Sequence, residues 1–114
     1  MPARRKLLVG AWKAYLNHAE ALELARALPK ALEERGDALD FEVGVCPSSI
    51  SIAAVREIVA DSPIEVGAQG LYWESENGAF TGQITAEQLA ELGCSLVILG
   101  HSEMRALGET DENV

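Results

Sequence analysis

The sequence predicts an α/β fold: four parallel strands in the order β-α-β-α-β-α-β, followed by a helix stub. Three observations point there. Short apolar runs such as Lys6 to Gly10 and Phe41 to Cys46 alternate with stretches whose apolar residues recur at three- and four-residue spacing. The strand runs are almost continuously apolar, as strands covered on both faces are. Strands that alternate with helices pair in parallel, through right-handed crossovers. This pattern admits an open doubly wound sheet as well as a barrel.

Taken in order, Lys6 to Gly10 reads as the first strand. Asn17 with Glu20 three residues on forms a capping box for the first helix. Ala21, Leu24, Leu28 and Leu32 keep to one face of it. Pro29 removes a backbone donor inside this helix, so a kink or break is expected there, and Gly36 serves as the stop. Phe41 to Cys46 is the second strand, ended by Pro47. Ser48 or Ser49 caps a second helix reaching about Ala60, and Ile64 to Gln69 is the third strand. Gly70 to Gln83 is a long loop. Thr85 with Gln88 opens a third helix that Gly93 stops. Leu96 to Gly100 is the fourth strand, and Thr110 caps a helix that the chain enters for about one turn.

The chain of 114 residues suits one domain, 1–114, with one core. Hydrophobic residues make up 48%, enough to fold despite a net charge of −9. That charge argues against nucleic acid as a partner, because phosphate backbones bind Lys/Arg surfaces. It argues equally against an anionic membrane surface. No apolar run approaches the ~18 residues of a membrane span, and the apolar run after the basic start is too short for a secretory signal. Cys46 and Cys94 lack metal-ligand spacing and fit a reducing, cytoplasmic setting. No metal or cofactor is expected. Gly67-Ala68-Gln69-Gly70 and Gly108-Glu109-Thr110 lack the spacing of phosphate-cradling nucleotide loops.

The chemistry-bearing stretch is Val97-Ile98-Leu99-Gly100-His101-Ser102-Glu103. A His and a Glu follow a strand-ending Gly, the place where parallel β/α folds put their reactive groups. A neutral His polarises a carbonyl there, and a carboxylate beside it positions a cation. Alone, the stretch equally fits a strand end with a solvated His and Glu. Lys13, three residues after Gly10, offers a compact cationic charge for a phosphate or a developing enolate oxygen. Alone, it better fits a solvated loop lysine; beside Gly10-Ala11-Trp12 and His101 the balance reverses. Phe80 and Thr81 stand near the tip of the Gly70–Gln83 loop, and a loop of that length without its own element usually has a job.

Gly10-Ala11-Trp12-Lys13, Gly78-Ala79-Phe80-Thr81-Gly82-Gln83-Ile84, Gly93 through Glu103, and Gly108-Glu109-Thr110-Asp111-Glu112 occur in this order. Together they closely resemble the triosephosphate isomerase family, from about Arg5 to Val114 and only over its N-terminal half. The resemblance implies a partial, half β/α barrel of four strands. It implies His101 as catalytic electrophile, Lys13 as catalytic cation, and Glu103 in support, holding Lys13 or its neighbours. This family is the reference instance of a neutral His electrophile working with a Glu base. It further implies that the loop of Phe80 and Thr81 inserts beside a partner subunit's site, with Phe80 as an anchor.

Four positions depart from the family pattern. Ala11 and Gly70 stand where the family has Asn, Met104 replaces an Arg, and Gln83 replaces a Glu that can pair with that Arg across the subunit interface. The family's general base, lid and phosphate loops follow the fourth strand and map onto none of these residues. The expectation is therefore a truncated, isomerase-like chain of the glycolytic and gluconeogenic triose phosphate reaction. It would be inactive alone and would self-associate as a dimer or higher homo-oligomer through its open edges and a face lined by Val9, Val45 and Val97. A triose phosphate is the implied ligand. The alternative is an active isomerase once a C-terminal half supplies the base and phosphate loops.

Overall fold

The computed structural model describes residues 3–35 and 40–114. Four parallel strands form one sheet in the order β1-β2-β3-β4. They are β1 (Lys6–Ala11), β2 (Phe41–Cys46), β3 (Glu65–Ala68) and β4 (Leu96–Val97). Between and after them lie α1 (His18–Glu34), α2 (Ile52–Ile58), α3 (Ala86–Glu91) and α4 (Ser102–Ala106). The result is a half-barrel of the α/β class.

Each helix start has a local cause. The Glu20 carboxylate accepts the Asn17 N–H at 3.1 Å at the head of α1. Thr85 and Gln88 exchange the same reciprocal bonds at the head of α3. Gly93, at φ 89°, ends that helix in a conformation that costs glycine little. The first turn after Pro47 is a 3-10 turn over Ser49–Ser51 instead of α-helix, and the Ser48 side chain makes no cap bond.

Three expectations about element bounds are corrected. Helix α1 runs unbroken through Pro29. Leu28 and Leu32 pack on the core on either side of it, offsetting the one lost backbone bond. Strand β4 is two residues long, not five. It is an edge strand whose one ladder partner, β3, ends at Ala68, and Gly100 at φ 67° then turns the chain. The short helix after it is α4, N-terminal to the expected stub; Thr110 heads only a turn closed by Asn113 and Val114 N–H groups on its carbonyl. The expected stop at Gly36 lies outside the described residues.

The core lies between one sheet face and the helices. Ile52, Val55 and Val59 of the α2 region meet Val45, Val66 and Ala68 of the sheet. Each of these valine and isoleucine side chains stabilises the fold by about 1.5–3 kcal/mol when fully buried. Ala21 and Ala25 bring α1 close to this layer, whereas Leu24 stays 36% exposed beside the open β1 strand. The register pairs Val9 with Gly44 and Gly10 with Val45. Val9 and Val45 therefore lie on opposite faces. Val45 is buried, which corrects its place on the exposed face, and Val97 shares its side through Ala68 and Val66. On the other face, Leu96 lies across two glycines. A Cβ on Gly67 would meet Leu96 Cβ and its carbonyl oxygen at 2.6 Å, and one on Gly44 would meet Leu96 Cδ1.

Strand β1 is exposed along its whole length, with Leu8 at 62%. Its apolar run was expected to be covered on both faces.

Cys46 is buried at the end of β2, Cys94 is half-buried, and both are free thiols. Burial, and then the neighbouring Cys94, push the Cys46 thiol up; burial also raises Cys94, with Arg56 opposing. A raised folded pKa contributes stability that is present below the unfolded value, about 8.5, and is lost as pH rises through the folded one. Native thiol labelling at pH 7 is therefore expected to be slow at Cys46, and urea stability to fall on the alkaline side of that range. Rapid stoichiometric labelling of Cys46 would contradict its placement.

Candidate active site

The site forms at the C-terminal ends of the strands. Beyond Ala11 the ladder continues for one bond, from Trp12 N–H to the Cys46 carbonyl at 3.1 Å. Lys13 then takes φ 55°, the one non-glycine residue with positive φ among the described residues. For a residue with a Cβ this left-handed backbone costs about 1–3 kcal/mol and persists only where the surroundings enforce it. Its side chain points at α4, where Nζ lies 3.2 Å from Glu103 Oε2. With side chains 40% and 61% exposed, that pair contributes at most about 1 kcal/mol, so its value is positional.

At the other end of the sheet, Gly100 is held from both sides. Its N–H donates to Glu109 Oε1 at 2.8 Å, and its carbonyl accepts from Arg105 Nε at 2.9 Å. Arg105 in turn pairs with Asp111 at 2.6 Å. This fixes the turn that delivers His101 to the head of α4. His101 Nδ1 accepts the Glu103 backbone N–H at 3.0 Å and so caps the helix. The Glu103 carboxylate lies 3.6 Å from the same nitrogen, beyond hydrogen-bonding distance. The hydrogen-bond network thus assigns a neutral ring with its proton on Nε2.

Glu103 consequently touches both partners, His101 through its backbone and Lys13 through its carboxylate. Lys13, His101 and Glu103 line one cleft of about 100 Å³ with Ala11, Gln69, Ile98 and Met104. The arrangement presents a neutral imidazole donor and an ammonium to one small space, suited to polarising an oxygen atom. Ala11 and Met104 contribute no hydrogen-bonding group beyond the backbone and a weak thioether acceptor. No cluster of three His, Cys, Asp or Glu side chains among the described residues is arranged to hold a metal ion. No helix among them is long and apolar enough to cross a membrane.

Phe80 and Thr81 do not line this cleft. Phe80 stacks on Tyr72 of its own loop at 4.9 Å, and Thr81 is exposed. The loop is fastened to α3, with the Asn77 N–H on the Glu87 carboxylate at 3.0 Å and Thr85 Oγ1 on Asn77 Oδ1 at 2.6 Å. Gln83 and Met104 line a second groove, between this loop and α4, with Trp73 and Leu107. Sequence reasoning missed Gln69, Arg105 and Glu109 as site-building residues. The charged run after His101 was a usable signal for the last two; Gln69 had none, because its partners are 56 and 23 residues away.

Known proteins give this arrangement its context. A family model described as triosephosphate isomerase matches residues 6–114. A triosephosphate isomerase of Roseiflexus sp. is 47% identical over 96% of this chain and 42% of that protein. One of Rhodopirellula baltica is 43% identical over the same shares. A crystal structure of triosephosphate isomerase from Bartonella henselae superposes with a TM-score of 0.78 at 30% identity, over 91% of this chain and 41% of that one. The chain thus spans less than half the length of these relatives. With the half-barrel and a family match over nearly all its residues, this chain belongs to the triosephosphate isomerase family.

Proposed function

We propose that Lys13, His101 and Glu103 form the electrophilic half of a site for interconverting dihydroxyacetone phosphate and glyceraldehyde 3-phosphate. The observation that carries this reading is the single bond from Glu103 N–H to His101 Nδ1. It leaves Nε2–H free to donate to a substrate carbonyl oxygen, and a neutral donor can then stabilise the enediolate without having surrendered its proton beforehand. Lys13 supplies positive charge for the same oxygen or for the phosphate. Glu103 holds the ammonium in place and removes no proton from substrate carbon, because its carboxylate is paired with that ammonium. The setting is cytoplasmic, which the two free thiols support.

The 114-residue chain by itself does not isomerise. Among the described residues no second carboxylate lines the cleft, and a positioned base contributes about 10²–10⁴-fold in rate. The chain associates with itself through its uncovered sheet. A coupled assay on rigorously purified chain should read background, and Ala11→Asn should not raise it, since an amide supplies binding and no base. Turnover that follows the protein through purification and disappears in His101→Ala would overturn this. A second reading, an active isomerase when another polypeptide supplies the remaining strands, is favoured by one observation: the relatives are more than twice as long.

A further inference from the structure

We infer that Gln69 is a positioning residue that holds Lys13 in its left-handed backbone and so aims the ammonium into the cleft. Gln69 follows β3 directly, and its side-chain amide nitrogen donates to the Lys13 carbonyl and to the Cys46 carbonyl, each at 2.9 Å. The two hydrogens of that NH2 are thereby both used. The orientation is unambiguous, because a flipped amide would set its oxygen against two carbonyl oxygens. The Cys46 carbonyl also accepts Trp12 N–H, so one amide ties together the ends of β1, β2 and β3. Lys13 is the residue whose backbone strain needs an external restraint, and this is the side-chain bond to its backbone among the described residues. Without it, Lys13 relaxes to negative φ and its side chain leaves Glu103.

The bearing on catalysis rests on the proposed role of Lys13; the backbone claim does not, so the two fail separately. The test compares Lys13→Gly with Lys13→Ala, both lacking the ammonium, in two backgrounds. With Gln69 present, the Lys13→Gly protein should have the higher urea midpoint, because φ near 55° is free for glycine and strained for alanine. With Gln69→Glu, equal in shape but without the donors, the order should reverse, because a relaxed backbone at this position makes glycine the more entropically costly choice. Gln69→Met serves as the second, uncharged background if Gln69→Glu does not fold. A second readout follows the 13C-dimethylated Lys13 amine by NMR, assigned with Lys13→Arg. Its resonance should move across the carboxylate titration range in the parent and stay flat in Gln69→Met, which brings no carboxylate of its own. The same Gly-over-Ala order in both backgrounds, or an unchanged Lys13 titration in Gln69→Met, would overturn the inference.

Discussion

Gly67→Ala is expected to destabilise the chain by about 1–3 kcal/mol or more, the range for overpacking, and to displace His101 from Lys13. Gly67 pairs with Leu96 in the short β3–β4 ladder. A methyl group there would sit 2.6 Å from the Leu96 carbonyl oxygen and 2.9 Å from its carbonyl carbon. Those are backbone atoms, which can yield only by moving the strand. Because β4 is two residues long, a small shift removes most of its pairing, and the turn carrying His101 moves with it. Gly44→Ala is the matched control. Its methyl meets only the far end of the Leu96 side chain, with the nearest backbone atom at 3.6 Å, so a rotamer change relieves it at a cost below about 1.5 kcal/mol. Urea denaturation and the NMR shifts of the His101 ring read both variants. A Gly67→Ala protein within about 0.5 kcal/mol of the parent, with unmoved His101 signals, would contradict the packing account.

Light scattering is expected to return the mass of two or more chains at tens of micromolar, with Val9→Lys shifting dissociation to at least ~100-fold higher concentration. Among the described residues strand β1 pairs with β2 alone, which leaves its other edge open, and Leu7, Leu8 and Val9 are exposed. Pairing such edges in two-fold symmetry is the commonest closed solution. An ammonium buried there without a partner costs several kcal/mol, while Val9 is exposed enough in the single chain to leave the fold intact. The net charge of −9 opposes association, so added salt should strengthen it. Phe80→Asp should have the smaller effect, since Phe80 packs on its own Tyr72. A species of one-chain mass at every concentration would refute self-association. An oligomer lost on Phe80→Asp and kept on Val9→Lys would move the contact to the loop.

Elements whose signals are local were legible in the sequence. Strand β2 is bounded by Phe41 and Cys46, as its apolar run and Pro47 imply. Helix α3 starts behind Thr85 because Thr85 and Gln88 carry the reciprocal cap in themselves. Helix α4 was hidden because a histidine caps it, outside the residue types that normally mark a helix start. The length of β4 was hidden because it depends on where β3 ends, a property of another segment. At the site, the proximity of Lys13 and Glu103 spans 90 residues and was implied by family resemblance, not by spacing. The strained backbone of Lys13 has no local signature, since nothing in Ala11-Trp12-Lys13-Ala14 demands positive φ.

The most direct test of the central claim mixes the chain with a polypeptide comprising the part of the Roseiflexus relative that lies beyond the matched region. Triose phosphate isomerisation is then followed for each component and for the mixture. The account predicts background rates for each alone, turnover in the mixture, and a loss of about 10²–10⁴-fold in that turnover with His101→Ala. A mixture that forms a complex and turns over equally with His101→Ala would contradict the claim that His101, held by Glu103, is the electrophile of this site.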